Sequence, residues 1–200
     1  MISRLVLASG NEGKLREFRR LLAPRGLAVI PQAELAIAEA DEPHPTFIEN
    51  ALAKARHASG HAHLPALADD SGICVAALAG APGVHSARYA GLPPSDARNN
   101  AKLVAALQGV AVRRAHYTCV LVLVRHAADP EPLIAEGAWR GTFIDQPRGT
   151  GGFGYDPHFQ DAATGLTGAE LPLPRKNELS HRGIAMRELI AKLAAMKAGR

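Results

Sequence analysis

The stretch Leu67-Ala-Asp-Asp-Ser-Gly72 places two adjacent carboxylates, Asp69 and Asp70, between two apolar segments. The flanking segments, 64–68 and 73–78, have the composition of buried strands, so the two acids are expected to interrupt a strand. Burying an unpaired carboxylate costs several kcal/mol, and two together therefore need a metal ion, a cationic partner or water. Asp-Asp-Ser-Gly is also good turn chemistry, so a solvated turn is the alternative interpretation of this stretch alone.

The composition around this stretch is that of a globular protein, with 47% hydrophobic residues in 200. This length predicts a single domain over 1–200. We find no signal-peptide pattern and no apolar run long enough to span a bilayer, so we expect a cytoplasmic protein with no membrane partner. The net charge of +4 indicates an anionic ligand, but aromatic residues are only 4% and basic residues are scattered, so no nucleic-acid partner is expected. Cys74 and Cys119 lie in apolar runs and are predicted to be reduced core thiols.

Hydrophobic periodicity predicts an α/β fold with a mixed sheet. Outside the acidic stretch, strands are predicted over 3–8, 27–30, 116–125 and 132–140. The last two are expected to be antiparallel neighbours, because their connection is too short for a crossover helix. Helices are predicted from about 15 to 22, 47 to 59 and 96 to 107, and a closing amphipathic helix follows 180–182. The segment 31–45 is predicted to be a loop or a short irregular helix.

The segment Ser9-Gly-Asn-Glu-Gly-Lys14 joins the first predicted strand to the first helix. Backbone N–H groups and the positive end of the helix dipole converge at such a junction, which makes it an anion site. Lys14 adds a full charge, and Ser9 and Asn11 add polar side chains. It is not a Walker A loop, since Leu15 replaces the Ser or Thr that follows the lysine there. An ordinary glycine-rich turn is the alternative.

An acidic loop and a capped helix precede the two aspartates in sequence. Thr46-Phe-Ile-Glu49 is a capping-box pattern, and Lys54 lies further along the same helix, either solvated or turned towards the acids. Neighbouring side chains on a strand diverge, so one of the two aspartates can hold a metal ion or a water while the other orients a cation. Asp41 or Glu42 could supply a second carboxylate for Mg²⁺, which proteins commonly hold with one or two carboxylates plus substrate phosphates.

Residues 149–156 are the most glycine-dense stretch of the chain. Glycines would let the backbone approach a ligand closely, and Phe153 or Tyr155 could stack on a base. A bulged loop anchored by two aromatic side chains is the alternative.

A cationic cluster of Lys176, His181 and Arg182 comes just before the last predicted helix. Cations at a helix N-terminus oppose the helix dipole, so this placement indicates a bound anion or carbonyl partner. Ordinary polarity at a helix start is the alternative.

Six segments in a fixed order carry a resemblance to a known family. They are Ser-Gly-Asn-Glu-Gly-Lys at 9–14, Thr-Phe-Ile-Glu-Asn-Ala at 46–51, Ala-Asp-Asp-Ser-Gly at 68–72, Pro-Gly-Val-His-Ser-Ala-Arg-Tyr-Ala-Gly at 82–91, Gly-Gly-Phe-Gly-Tyr-Asp-Pro at 151–157 and Ser-His-Arg at 180–182. Together they closely resemble the Ham1/inosine triphosphate pyrophosphatase family over nearly the whole chain.

The resemblance implies a fold and an activity. The fold would be a mixed, elongated twisted sheet flanked by helices, with two lobes around a central nucleotide cleft, in a homodimer. The activity would be Mg²⁺-dependent hydrolysis of ITP, dITP and XTP to the monophosphate and pyrophosphate, which removes non-canonical purine nucleotides from the nucleotide pool.

The resemblance also implies site residues. Asp70 would be the proton acceptor and a metal ligand, and Asp41 the second metal carboxylate, with Glu42 as its alternative. The substrate-binding residues implied are Ser9, Gly10, Asn11, Glu12, Gly13, Lys14 and Lys54 for the triphosphate, Ser71 as a further substrate contact, Phe153, Gly154, Tyr155 and Asp156 for base and sugar, and Lys176, His181 and Arg182 for the purine.

Three rival functions remain open at this point. A regulatory protein could bind nucleotides at the same anion site without hydrolysis, although carboxylates beside a triphosphate argue against it. A nucleic-acid-binding domain is suggested only by the basic balance of charge, and its affinity would fall steeply with salt. A related pyrophosphatase acting on modified pyrimidine nucleotides would be separated by a substrate panel.

Overall fold

The computed structural model describes residues 2–198, and the side chains of Glu12, Lys197 and Ala198 lie outside the described part. The strands are β1 (Arg4–Ala8), β2 (Ala28–Pro31), β3 (Ala66–Val75), β4 (Arg114–Val124), β5 (Leu133–Phe143) and β6 (Phe159–Asp161). The α-helices are α1 (Glu12–Leu22), α2 (Phe47–Ala62), α3 (Asp96–Ala106), α4 (Leu173–Leu179) and α5 (His181–Ala198).

The strands form one six-stranded sheet in the order β2-β1-β3-β4-β5-β6. Strand β1 is parallel to both β2 and β3, whereas β5 and β6 are antiparallel. The predicted α/β class with a mixed sheet is therefore confirmed. In the register of β1 and β3, Ala8 faces Ala68, so the residues that follow β1 leave it beside the aspartates of β3.

The chain divides into two compact units. Unit 1 contains the described residues of 1–70, 120–136 and 185–200, and unit 2 contains 71–119 and 137–184. The single domain over 1–200 and the two lobes around a nucleotide cleft stay predictions.

In unit 1, helix α2 packs on the sheet through small side chains. Ala51, Ala55 and Ala58 are fully buried, and their spacing puts them on one face of α2. They pack with Val6 and Ala68 of the parallel strands in one hydrophobic cluster. Because alanine adds little bulk, α2 lies close to β1, and this brings its polar residues near the ends of the same strands.

Unit 2 has an aromatic core. Tyr117, Trp139 and Phe159 come from three strands of the sheet and pack in one buried cluster with Leu103 and Leu107 of the α3 region. The indole N–H of Trp139 donates a 2.8 Å hydrogen bond to Oδ1 of Asp161, which satisfies its polar edge inside the core.

The predicted interruption of the strand at Asp69 and Asp70 is wrong. Strand β3 runs without a break through both residues, and both are buried. Cationic side chains compensate the two charges, so the backbone does not need to turn them towards water.

Other local predictions are confirmed. Thr46 caps α2, with its Oγ1 accepting from the N–H of Glu49 at 3.3 Å, although the helix continues three residues beyond the predicted end at 59. The segment 31–45 contains a short 3-10 helix, Gln32–Leu35, and is otherwise irregular. Cys74 and Cys119 are free thiols, but Cys74 is partly exposed rather than buried. No helix within residues 2–198 is long and apolar enough to cross a bilayer.

Candidate active site

The loop after β1 has the geometry of an anion site. Asn11 is the N-cap of α1, and its Oδ1 accepts from the N–H of Lys14 at 3.0 Å. Ser9 Oγ accepts from the N–H of Asn11 at 3.2 Å, which fixes the approach to the helix. Glu12 and Gly13 occupy the first two helical positions, whose N–H groups have no intrahelical acceptor. These groups can therefore bind an anion.

A carboxylate of the acidic loop lies against this turn. A Cβ at Gly10 would stand 2.0 Å from Oε1 of Glu39, so a larger residue there would displace the Glu39 carboxylate. Glu39 is not among the predicted site residues. The acid-rich composition of its segment indicated a possible metal ligand there, but nothing in the sequence distinguished Glu39 from the neighbouring acids.

The two aspartates of β3 engage different lysines. Lys14 Nζ pairs with Oδ1 of Asp69, whereas Lys54 Nζ lies 2.9 Å from Oδ1 of Asp70. This division is expected for neighbouring side chains that leave an extended strand on opposite faces. Lys54 also lies 2.7 Å from Oε1 of Glu42 and so links that acid to Asp70.

Burial dominates the electrostatics of Asp70. Only 5% of the residue is exposed, and this burial raises the pKa of its carboxyl above the usual value, against the opposing effect of Lys54. Burial alone would lower the pKa of Lys54, but Asp70 and Glu42 outweigh it and raise that pKa, so the ammonium stays charged. Oδ2 of Asp70 is buried without a hydrogen-bond partner among the described residues. A bound cation or water would satisfy this oxygen.

The acidic residues could hold a divalent cation together with waters or an anionic ligand. Within residues 2–198, no three His, Cys, Asp or Glu side chains are grouped closely enough to hold a metal ion alone. Mg²⁺ accepts such a sparse set, because it keeps several waters and takes phosphate oxygens as further ligands. The unsatisfied Oδ2 of Asp70 is the observation that fits a metal. Of the two acids considered before α2, Glu42 is linked to Asp70 through Lys54, whereas Asp41 is exposed.

Unit 2 holds a second cluster, built on a buried ion pair. Lys176 Nζ lies 2.5 Å from Oδ2 of Asp156 and 5.3 Å from the centre of the Phe153 ring. Gly152 has a φ of +73°, and a Cβ there would lie 2.1 Å from Oδ2 of Asp156. The glycine lets the loop backbone close directly over the ion pair.

The loop 153–156 is tied down from several sides. The N–H of Gly154 donates to Oδ2 of Asp96 at 2.7 Å, and its carbonyl accepts from Nδ2 of Asn100 at 2.8 Å. The hydroxyl of Tyr155 donates to the carbonyl of Ser86 at 2.7 Å, and the tyrosine is buried. The sequence analysis missed Asp96 and Asn100, because one helix presents them to a loop more than fifty residues away.

The two side chains predicted to stack on a base, Phe153 and Tyr155, differ in exposure. Phe153 is 42% exposed and available to a ligand. The ring of Tyr155 is buried and anchors the loop, which was the alternative prediction for this glycine-rich stretch.

The remaining cations lie at the start of α5. His181 and Arg182 are its first residues and are 8% and 5% exposed. The guanidinium of Arg182 donates to Oγ of Ser71 at 3.2 Å, which ties the helix start to β3. The buried guanidinium of Arg182 lies at the positive end of the helix dipole, a placement that an electron-rich ligand would stabilise.

The structure thus gathers the predicted residues in two clusters. Residues 9–14, Lys54 and Asp70 lie together in unit 1, where the side chain of Glu12 is outside the described part. Residues 153–156 and Lys176 form one part of the unit 2 cluster, and Ser71, His181 and Arg182 the other.

Comparisons with known proteins identify similar proteins over nearly the whole chain. A model of the Ham1 family matches residues 5–192. A dITP/XTP pyrophosphatase of Ralstonia nicotianae is 66% identical over 193 residues, covering 95% of this chain and 96% of the relative. A dITP/XTP pyrophosphatase of Burkholderia pseudomallei is 62% identical over 198 residues, covering 98% of this chain and 95% of the relative.

Solved structures are similar over the same length. A HAM1 protein from Coxiella burnetii matches with a TM-score of 0.92 and 45% identity, covering 98% of this chain and 100% of the other. The Ham1 protein of Staphylococcus aureus matches with a TM-score of 0.87 and 36% identity, covering 96% and 99%.

The raised pKa of Asp70 predicts how an Asn variant changes stability with pH. Burial makes the ionised form of Asp70 less favourable in the folded than in the unfolded protein. The stability that this group contributes is fully present below its ordinary pKa of 3.8 and is lost as the pH rises through the folded value. Asn cannot ionise, so Asp70→Asn avoids this loss. The unfolding free energy of the variant minus that of wild type, measured in urea titrations with EDTA, is therefore expected to increase from about pH 4 to about pH 7.

Asp129→Asn is the matched control with the opposite sign. Asp129 accepts hydrogen bonds from Arg125, which hold its pKa far below the ordinary value. Its contribution is present above that ordinary value and is lost as the pH falls, so this variant should lose most stability at neutral pH. The same pH trend in both variants would contradict the assignment for Asp70.

Proposed function

The chain belongs to the Ham1 family, and from this premise we propose that it hydrolyses non-canonical purine nucleoside triphosphates (ITP, dITP and XTP) to the monophosphate and pyrophosphate. Its curated relatives named dITP/XTP pyrophosphatase are aligned over almost the entire chain. The observation that carries the proposal is the buried carboxylate of Asp70, which keeps one oxygen unpartnered beside the anion loop and Lys54.

The cluster in unit 1 is proposed to bind the triphosphate and to perform the hydrolysis. The N–H groups at the start of α1, with Lys14 and Lys54, offset the negative charge of the phosphates and stabilise the charge that develops on the pyrophosphate leaving group. Asp70 accepts the proton of the attacking water.

Mg²⁺ is the proposed cofactor. When bound, it neutralises phosphate oxygens and makes water more acidic. Asp70 would be the principal protein ligand through its unpartnered oxygen. The link through Lys54 supports Glu42 as the second carboxylate in place of Asp41, and Glu39 stands beside Gly10 as a further candidate.

The cluster in unit 2 is proposed to recognise the base. Phe153 offers an exposed ring for stacking, and Lys176, His181 and Arg182 offer hydrogen-bond donors held in place by burial. These fixed N–H groups donate hydrogen bonds to the 6-oxo oxygen of hypoxanthine or xanthine. Adenine presents an amino group instead, which leaves these donors unpaired, and an unpaired buried donor costs about 1–3 kcal/mol.

Two broader expectations are kept as proposals. The family model spans both units, which supports a single catalytic domain over 1–200. We also propose a cytoplasmic homodimer, following the expectation set by the family resemblance.

The first test is the release of pyrophosphate and orthophosphate from ITP, XTP, dITP, GTP and ATP. We expect pyrophosphate from the first three, none from ATP, and loss of the activity when EDTA replaces Mg²⁺. A modified pyrimidine triphosphate in the panel addresses the nearest rival. Orthophosphate alone would contradict the proposed reaction, and nucleotide binding without any release would favour the regulatory protein.

A second test compares the two neighbouring acids, Asp41 and Glu42. Glu42→Gln should raise the Mg²⁺ concentration needed for half-maximal activity by about tenfold or more, since the variant removes a ligand charge linked to Asp70. Asp41→Asn should change it by less than about threefold. A larger effect at Asp41 would restore that residue as the second metal carboxylate.

A further inference from the structure

The imidazole of His181 rests flat on another ring. Its centre lies 4.6 Å from the centre of the Tyr117 ring, with 7° between the two planes. Both residues are buried, at 8% and 7% exposure. One face of the imidazole is therefore covered, and the ring cannot tilt without separating a buried stack.

Tyr117 is itself held by two aromatic neighbours. The Phe159 ring meets it edge-on at 4.8 Å and 63°. Trp139 lies 6.0 Å away at 19°, and it also faces His181 at 6.5 Å and 13°. The Trp139 indole is in turn fixed by its bond to Asp161. Tyr117 is thus the central ring of a rigid cluster and the one nearest to His181.

The hydroxyl of Tyr117 reaches the loop over the buried ion pair. The Tyr155 backbone and the Asp156 carboxylate are both close enough to affect its ionisation. Burial, followed by this carboxylate, raises the pKa of Tyr117 well above its usual value, so the phenol stays neutral. A single side chain therefore contacts both His181 and the segment 153–156.

We propose that Tyr117 is a positioning residue of the base site, whose ring sets the orientation of the His181 imidazole and whose hydroxyl ties that orientation to the loop 153–156. The proposal rests on the function proposed above, in which these two elements contact the purine. The local sequence gives no indication of this role, because Tyr117 resembles any other aromatic residue in a buried strand.

The physical reason is that a hydrogen bond from an imidazole depends on ring orientation. A ring free to rotate would lose freedom when the base binds, and its N–H would point away from the 6-oxo group for part of the time. Stacking on Tyr117 removes this freedom before the nucleotide arrives. The effect should therefore appear in KM and in base selectivity more than in kcat, which depends on Asp70.

The experiment compares five variants of the full chain in steady-state assays with dITP and dATP: Tyr117→Leu, Tyr117→Phe, Leu103→Ala, His181→Ala, and Tyr117→Leu combined with His181→Ala. Tyr117→Leu removes the stacked ring, whereas Tyr117→Phe keeps the ring and removes the hydroxyl. Leu103→Ala is the matched control, because it opens a cavity in the same core at a fully buried residue. Far-ultraviolet circular dichroism and a urea titration establish that each variant is folded at the assay temperature.

Tyr117→Leu should raise KM for dITP about tenfold or more and reduce the preference for dITP over dATP, with kcat changed far less. Tyr117→Phe should stay within about fivefold of wild type in KM, since it keeps the stacked ring and removes only the hydroxyl. In the background of His181→Ala, Tyr117→Leu should have little further effect, because it acts through the imidazole. Leu103→Ala should lower stability without changing selectivity.

The outcomes separate this inference from the proposed function. Wild-type protein that releases no pyrophosphate from dITP or XTP would overturn the proposed function. Active wild type with unchanged KM and selectivity in Tyr117→Leu would overturn the role of Tyr117 alone. Fully additive effects of Tyr117→Leu and His181→Ala would also overturn it, since they would show a general effect of packing.

Discussion

Two adjacent carboxylates buried in the middle of β3 impose the requirement around which unit 1 is arranged. Neither charge can be left uncompensated, so Lys14 from the helix after β1 pairs with one acid and Lys54 from α2 approaches the other. The alanine face of α2 lets that helix lie close enough to do so. After these pairings Oδ2 of Asp70 still has no partner among the described residues, and an arrangement that leaves one buried carboxylate oxygen unsatisfied is suited to a metal ion or a reacting water.

Unit 2 holds several hydrogen-bond donors in fixed orientations within a buried core. Lys176 is neutralised by Asp156, and the backbone closes over this pair at Gly152. His181 is held by stacking and Arg182 by its bond to Ser71. In the proposed function, donors oriented before a ligand binds would discriminate an oxo group from an amino group by geometry and charge. The burial of these side chains would then contribute to recognition as well as to stability.

Local chemistry was enough to predict much of this arrangement. The capping pattern at Thr46 located the start of α2, and the polar turn after β1 located the start of α1. The interruption at Asp69 could not be judged from the local sequence, because the lysine that pairs with it comes from position 14. Glu39, Asp96 and Tyr117 were missed for a related reason, since each acts on a segment that is distant in sequence and none belongs to a recognisable pattern.

The central claim is that the carboxylate of Asp70, and not that of its neighbour, accepts the proton in hydrolysis. The most direct measurement is the single-turnover rate of pyrophosphate release from dITP with saturating Mg²⁺ in Asp70→Asn and Asp69→Asn. We expect the rate to fall about a thousandfold or more in folded Asp70→Asn. The fall should be clearly smaller for Asp69→Asn, because that variant disturbs only the pairing of Lys14. A near-wild-type rate in folded Asp70→Asn would contradict it.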